Sequence, residues 1–236
     1  MKNQNKQIAS NPNTLLAISY YYEWDNDRQK HCAHCINDGM NPCERCAKRI
    51  FDCLVAAISI VAFSPLFLIC YILVRNEDGG PAIFKQERIG RFGRPFYIYK
   101  FRSMRIDAEN DGPHLCSDNH DKRLTKTGRF LRAHHLDELP NLWNIFTGDM
   151  AFIGPRPERE HYIKLIMEKD PRYQCLYQLR PGITSMATLY NGYTDSLEKM
   201  LKRLEMDLYY LEHRSWWLDA KILCLTFLKI IFGRKI

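Results

Sequence analysis

From Ile50 to Val74 the chain runs IFDCLVAAISIVAFSPLFLICYILV, 25 residues whose only charge is Asp52. A stretch this apolar has to be covered, by a protein core or by lipid. As one straight helix it would extend ~37 Å at ~1.5 Å per residue, enough to cross a bilayer core of ~30 Å. Ser64-Pro65 falls near its middle, however, and proline there removes a helix hydrogen bond and forces a kink. Cations flank both ends, with Lys48 and Arg49 before and Arg75, Lys85 and Arg88 after. That symmetry gives the positive-inside rule no direction to choose. A helix that enters, breaks at Ser-Pro and returns to the same face satisfies both features. A kinked single span satisfies the length equally, and on these residues alone the two stay open. Each half, ~12 residues, is too short to cross by itself.

Around this segment the chain divides into a polar, turn-rich stretch (1–47), the apolar segment (48–75) and a mixed remainder (76–236). The opening MKNQNKQIASNPN lacks the apolar core and small-residue cleavage site of a secretory signal. With nine cysteines, an odd number, reduced thiols in a cytosolic compartment are expected rather than a disulfide framework. Near the far end, Trp216 and Trp217 precede an apolar run broken by Lys221 and Lys229, a pattern suited to a membrane–water boundary. It suits a core helix nearly as well.

The net charge of +7 is unevenly spread. Between Lys85 and Arg105 there are seven cations and a single acid, Glu87, a field that suits phosphate. Here AIFKQERIGRFGRPFYIYKFRSM predicts two short strands, Ala82–Gln86 and Phe96–Phe101, joined by a Gly-containing turn. Downstream, a helix is expected over Gly128–His134 and an amphipathic one over 194–213. In LDELPNLWNIF, Asp137 is expected as an N-cap with Pro140 in the first turn. Leu139, Leu142, Trp143 and Phe146 would then form one apolar face. Ionised carboxylates at Asp137 and Glu138, set among arginines, are a hard oxygen site fitted to Mg²⁺ sharing a phosphate. An ionised Asp can also attack phosphorus and form an acyl phosphate, with Arg holding the phosphate oxygens. An ordinary capping aspartate beside a solvated glutamate is the alternative.

Several blocks occur in one order: KRIFD leading into the apolar segment with Ser64-Pro65; GPAIFKQERIGRFGRPFYIYKFRSM; LTKTGRFLRAHHLDELPNLWNIFTGDMAFIGPRPE; RPGITS; and DLYYLEHRSWWLDAKIL. Through them the chain, from about Lys48 to Phe232, resembles the bacterial sugar transferase family, the monotopic polyprenol-phosphate phosphoglycosyl transferases. The resemblance implies an α+β, mainly helical fold anchored by a re-entrant helix broken at Ser64-Pro65, in its compact single-anchor form. It places both ends on the cytoplasmic face of the bacterial inner membrane. It implies transfer of a phospho-sugar from a UDP-sugar to polyprenyl (undecaprenyl) phosphate with release of UMP, the first step of a surface glycan. Asp137 is then the nucleophile that carries the covalent phospho-sugar, and Glu138 supports Mg²⁺ and the phosphate. Lys100, Arg102 and Arg132 are expected on phosphate oxygens, with Arg156 and Arg180 in the nucleotide or phosphate pocket. His134 and His135 are left outside the catalytic set, because the family commonly carries other polar residues there. Ser185 departs from the Gly usual after Pro-Gly-Ile-Thr, which bears on that loop's turn.

Ahead of the resemblance, Cys32-Ala-His-Cys35 and Cys43-Glu-Arg-Cys46 form two C-x₂-C pairs seven residues apart. Paired thiolates at this spacing are what a tetrahedral structural Zn²⁺ requires, although the gap is shorter than the usual zinc-ribbon range. Such a knuckle would offer a docking surface to downstream glycosyltransferases; unliganded thiols in a flexible arm are the alternative. The rival to the enzyme is a membrane-tethered zinc and basic binding module without catalysis. It has no need of a carboxylate pair inside a cationic surface, and Phe84, Phe92, Phe96, Tyr97 and Tyr99 alternate as strand core residues would. No nucleic-acid partner is expected.

Overall fold

The computed structural model describes residues 36–108, 121–191 and 196–232, the side chains of 231 and 232 excepted. Helix α1 (Pro42–Ala62) starts at a capping box: Asn41 Oδ1 accepts from Glu44 N and Glu44 Oε2 from Asn41 N, both at 2.9 Å. Helix α2 (Ser64–Asp78) follows after a single residue, Phe63, and the two axes bend by 64°. The bend follows from Pro65, whose missing N–H leaves the Val61 carbonyl without its helical donor. The Ser64 hydroxyl takes the vacant place, donating to Val61 O at 2.8 Å, so the Ser-Pro pair breaks the helix and caps the break. No single described helix is long and apolar enough to cross a membrane, but the bent pair together is. Much of its apolar surface is uncovered by protein, with Ile58 68% and Val61 74% exposed.

Helix α1 begins before Lys48, so the boundary expected at 47 lies inside the folded body. The chain is fixed earlier still. Asp38 is paired with Arg214 and with Arg45, and Gly39 N donates to Leu211 O at 2.9 Å. A buried polar set joins α1 to the end of the chain. Lys48 Nζ lies 2.6 Å from Asp219 Oδ2, and Tyr210 donates to Asp219 Oδ1 at 2.6 Å.

Strands β1 (Ile83–Ile89) and β2 (Pro95–Phe101) form an antiparallel hairpin, in register from Ile83 opposite Phe101 to Ile89 opposite Pro95. Both faces of the hairpin are covered in part, Ile98 being buried on one and Phe101 on the other, whereas Phe84 and Tyr97, expected in the core, lie at the surface. Helix α3 (Lys126–Ala133) starts before the expected Gly128, because Thr125 Oγ1 caps it by accepting from Gly128 N at 2.9 Å. Helix α4 (Asn141–Thr147) and strand β3 (Ala151–Ile153) follow. After helix α5 (Glu160–Met167) and a 3₁₀ segment (Pro171–Gln178), strand β4 (Gly182–Thr184) pairs parallel to β3. Here the GPRPE and RPGITS blocks meet: a Cβ on Gly154 would lie 2.2 Å from Arg180 O, so only glycine permits the approach.

The short helix α6 (Met186–Tyr190) is capped by Ser185, whose side chain accepts from Thr188 N at 2.9 Å; the departure from glycine supplies a cap. Helices α7 (Leu197–His213) and α8 (Trp216–Phe232) complete the body. Residues 192–195, where the amphipathic helix was expected to begin, lie outside the described residues, and Ser196 caps α7. The largest core lies between α5, the 3₁₀ segment, α7 and α8, around Ile163, Leu176, Leu204, Tyr210 and Ile222. Two smaller clusters hold the hairpin: Cys70, Val74, Phe101 and Leu131 on one side, Ala56, Ile98, Ile145 and Met150 on the other. The fold is mostly helical with short strands, as expected.

Asp207 of α7 is buried with its Oδ1 unpartnered among the described residues. Desolvation raises its pKa to about 7, Arg203 opposing and Glu158 adding to the shift. The folded state therefore keeps a proton that the unfolded chain, with an ordinary aspartate value of 3.8, releases. Stability from this group is highest below that value and falls as pH rises through about 7. Asp207→Asn should flatten the slope, so its melting temperature should gain on that of the parent protein as pH is raised from 5 to 8, checked by thermal unfolding in detergent.

Candidate active site

The site is assembled on the free edge of β2. In the register given above, Tyr97, Tyr99 and Phe101 turn their backbone groups away from β1. Asn144, fully buried on α4, fills part of that edge as a strand would: Oδ1 accepts from Tyr99 N at 3.2 Å and Nδ2 donates to Tyr97 O at 2.7 Å. Its own carbonyl accepts from Gly148, Asp149 and Met150 at 3.1, 2.9 and 3.0 Å, closing the helix. Arg49 from α1 donates to Ile145 O and Phe146 O at 2.6 and 2.8 Å. Helix α4 is thus fixed between the hairpin and the bent helix pair.

Asp137 does not cap α4, contrary to the sequence expectation. His135 takes the left-handed conformation (φ 54°) and the chain is already helical from Leu136, as a 3₁₀ turn over Leu136–Glu138. Leu139 and Pro140 are in right-handed helical geometry, and Pro140 occupies the N-cap position. Asp137 therefore sits inside a helical turn, and its side chain points into the protein rather than back to its own backbone. The buried side of α4 carries Asn141, Asn144 and Ile145, while Trp143 and Phe146 of the expected apolar face are exposed.

Asp137 is 8% exposed, and among the described residues no hydrogen-bond donor reaches its carboxylate. Glu138, half-buried, is paired with Lys100 Nζ at 2.5 Å. Burial pushes both carboxyls up. For Glu138 the charges of Lys100 and then Arg156 outweigh it and hold the group below the usual glutamate value. For Asp137 burial, with the charge of Glu138, prevails over Lys100 and Arg132 and leaves it raised. Adjacent carboxyls driven apart in this way are suited to different roles.

The structure sorts the remaining candidates. Lys100 and Arg132 lie in the field of Asp137, and Arg156 in that of Glu138. Arg156 is exposed and has no hydrogen bond or ion pair with any described residue. Arg102, by contrast, is buried and forked onto both oxygens of Asp78, with its Nε on Pro81 O at 2.7 Å. Arg180 donates from Nε to Gly148 O at 2.9 Å, at the C-terminus of α4. These two hold backbone in place, because each met an acceptor the folded chain had to satisfy. Cys43 and Cys46 lie exposed within the first two turns of α1; Cys32 and Cys35 lie outside the described residues.

Asn141 and Asn144 are the site residues the sequence reading missed. Asn141 is 2% exposed, and its buried Oδ1 has no partner among the described residues. It stands four residues beyond Asp137 on the same helical face. Two carboxylates and an orphaned amide carbonyl are hard oxygen donors, which suits Mg²⁺ that keeps several waters. Among the described residues no cluster of three His, Cys, Asp or Glu offers a metal site.

The model of the family described as bacterial sugar transferase matches residues 43–233. A UDP-glucose:undecaprenyl-phosphate glucose-1-phosphate transferase of Klebsiella pneumoniae is 41% identical over 188 residues, 77% of this chain and 39% of the relative. A UDP-N-acetylgalactosamine-undecaprenyl-phosphate N-acetylgalactosaminephosphotransferase of Aeromonas hydrophila is 39% identical over 186 residues, covering 79% and 44%. The uncharacterized sugar transferase EpsL of Bacillus subtilis is 39% identical over 189 residues, covering 80% and 89%. The chain thus spans less than half the length of the first two.

The left-handed His135 costs about 1–2 kcal/mol relative to glycine. His135→Gly should raise the melting temperature by a few degrees and His135→Val should lower it, both measured by thermal unfolding at fixed detergent and pH.

Proposed function

This chain belongs to the bacterial sugar transferase family, and from that premise we propose that it moves a phospho-sugar from a UDP-sugar to undecaprenyl phosphate, releasing UMP. One observation carries the reading. Asp137 is a buried carboxylate that accepts no hydrogen bond from the described residues, beside the Glu138–Lys100 pair and with the uncommitted Arg156 guanidinium in the field of that pair. A carboxylate so placed keeps its lone pairs for phosphorus. The names of the Klebsiella and Aeromonas relatives support the two substrates.

In the first step an Asp137 oxygen bonds to the β-phosphorus of the UDP-sugar. The bond from that phosphorus to the bridging oxygen breaks, and UMP leaves with the oxygen and its electron pair. In the second step an oxygen of undecaprenyl phosphate bonds to the same phosphorus, and the Asp137–phosphorus bond breaks to restore the carboxylate. Neither step needs a proton moved. Lys100 and Arg132 hold the oxygens of the transferred phosphate, and Arg156 holds the nucleotide phosphate, where fixed cations act most strongly as charge develops. Asp137 and Glu138 are the residues that would hold Mg²⁺, which would supply charge neutralisation to the phosphate oxygens.

The bent pair α1–α2 enters the bacterial inner membrane and returns to its cytoplasmic face, where UDP-sugars are made. The 64° bend and the uncovered apolar surface support this, and α8, with Trp217 80% exposed, lies at the interface. The product is the first lipid-linked unit of a surface glycan, a capsule, exopolysaccharide, O-antigen or glycoprotein glycan, for downstream glycosyltransferases to extend. We further propose a structural Zn²⁺ site for which Cys32, Cys35, Cys43 and Cys46 would be the ligands. Elemental analysis of the purified protein should find one zinc per chain, lost in Cys43→Ser; a metal-free parent protein sinks the zinc assignment.

The function is tested by nucleotide release from detergent-solubilised protein given Mg²⁺, undecaprenyl phosphate and a panel of UDP-sugars. UMP is expected with at least one sugar; UDP instead would mean ordinary glycosyl transfer and would overturn the nucleophile. Asp137→Asn should reduce UMP release to background and abolish the covalent phospho-sugar adduct seen by mass spectrometry.

A further inference from the structure

Arg156 is uncommitted, yet the loop that carries it is tied on both sides. Gly154 N donates to Thr184 O at 3.1 Å and Gly182 N to Pro155 O at 2.9 Å. Beyond Arg156, Arg88 Nη1 donates to Pro157 O at 3.0 Å and Ile89 N to Glu158 O at 3.1 Å. The Glu158 carboxylate turns inward. Its Oε1 accepts from Arg203 Nη1 at 2.9 Å, and its Oε2 lies 3.8 Å from Arg88 Nη1. Arg203 and Asp207, one turn apart on α7, are 8% and 2% exposed. Both line a cavity of ≈ 10 Å³ shared with Glu158 and Arg156, about the room one water needs.

A buried ion pair is weak evidence of stability, since apolar residues of similar volume often serve as well or better. The charges here have another use. Glu158 and Asp207 both act on the single Arg203 guanidinium, and Arg203 in turn repels Arg156. On its other side Arg156 feels Glu138 of the dyad. We propose that Glu158, Arg203 and Asp207 are positioning residues that act through Arg156: they fix the Gly154–Arg159 loop from below and keep the Arg156 guanidinium directed outward to the nucleotide phosphate. The inference rests on the phosphoglycosyl transfer reading given above.

The test uses the full chain in detergent at pH 8, above the value of about 7 to which burial raises Asp207, with UMP and uridine as probes, measured by calorimetry well below the melting temperature. Arg156→Ala, Glu158→Gln and Asp207→Asn are compared with the double variants Arg156→Ala/Glu158→Gln and Arg156→Ala/Asp207→Asn. Each single change should weaken UMP about tenfold and leave uridine unchanged. The doubles should bind UMP no more weakly than Arg156→Ala, because contacts that act through one group are not additive. A further loss in the Arg156→Ala background overturns the inference, as does equal weakening of uridine or unaltered UMP binding in both Glu158→Gln and Asp207→Asn. If Asp207→Asn does not fold, Glu158→Gln decides; failure of both to fold makes the set structural and overturns it. Loss of UMP binding by the parent protein would instead remove the proposed function, and UMP binding that ignores Arg156→Ala would remove only the role of Arg156 and its supports.

Discussion

A two-stranded hairpin leaves the outer edge of its second strand unpaired, and the candidate site exists because one side chain fills that edge. Asn144 offers β2 the donor and acceptor that a third strand would have supplied. Buried backbone groups have to be paired, so the helix that brings Asn144 is fixed in both position and rotation. Everything nearby follows from that rotation. Glu138, two turns earlier, meets Lys100 on the same strand, Asp137 is turned inward, and Trp143 and Phe146 are left outside. Isolated hairpins are marginal in water; this one is held on its edge by the amide, on one face by Ile98 packed with Ile145 and Met150, and on the other by Phe101 packed with Leu131.

Electrostatics then divides the cations by what they meet. A buried guanidinium takes the nearest acceptors, and Arg102 and Arg180 close the ends of helices through Asp78 and Gly148. Arg156 meets no such acceptor among the described residues, which leaves it available to a ligand. The same low-dielectric surroundings separate the two carboxyls, because Lys100 is bonded to Glu138 and acts on Asp137 only through space. The difference between the two carboxyls thus comes from an unequal sharing of one lysine.

The bent helix pair and the catalytic body are one packed unit. Arg49 reaches from α1 to the last carbonyls of α4, and Lys48 to Asp219 of α8. Residues 36–41 are anchored on the end of α7 through Asp38 and Arg214. Any displacement of α1 in a membrane would therefore be felt at the helix that follows the dyad, a coupling expected of an enzyme whose two proposed substrates meet at a lipid surface.

Patterns with a local cause were legible in the sequence: the break at Ser64-Pro65, the hairpin, the helix ending near His213, and the Asp137-Glu138 pair with Lys100, Arg132 and Arg156 around it. Proline chemistry, alternation and charge clustering act within a few residues, so they are written in the order of the chain. What the tertiary structure alone decided depends on partners far away. Asp137 reads as a cap until His135 turns left-handed and starts the helix early. Asn141 and Asn144 read as solvent-facing polar positions until the free edge of β2 meets them, and Arg102 and Arg180 read as phosphate ligands until Asp78 and Gly148 claim them. A sequence shows which groups seek partners; only folding, by setting which backbone is left unpaired and which charges are taken from water, determines the partners they find.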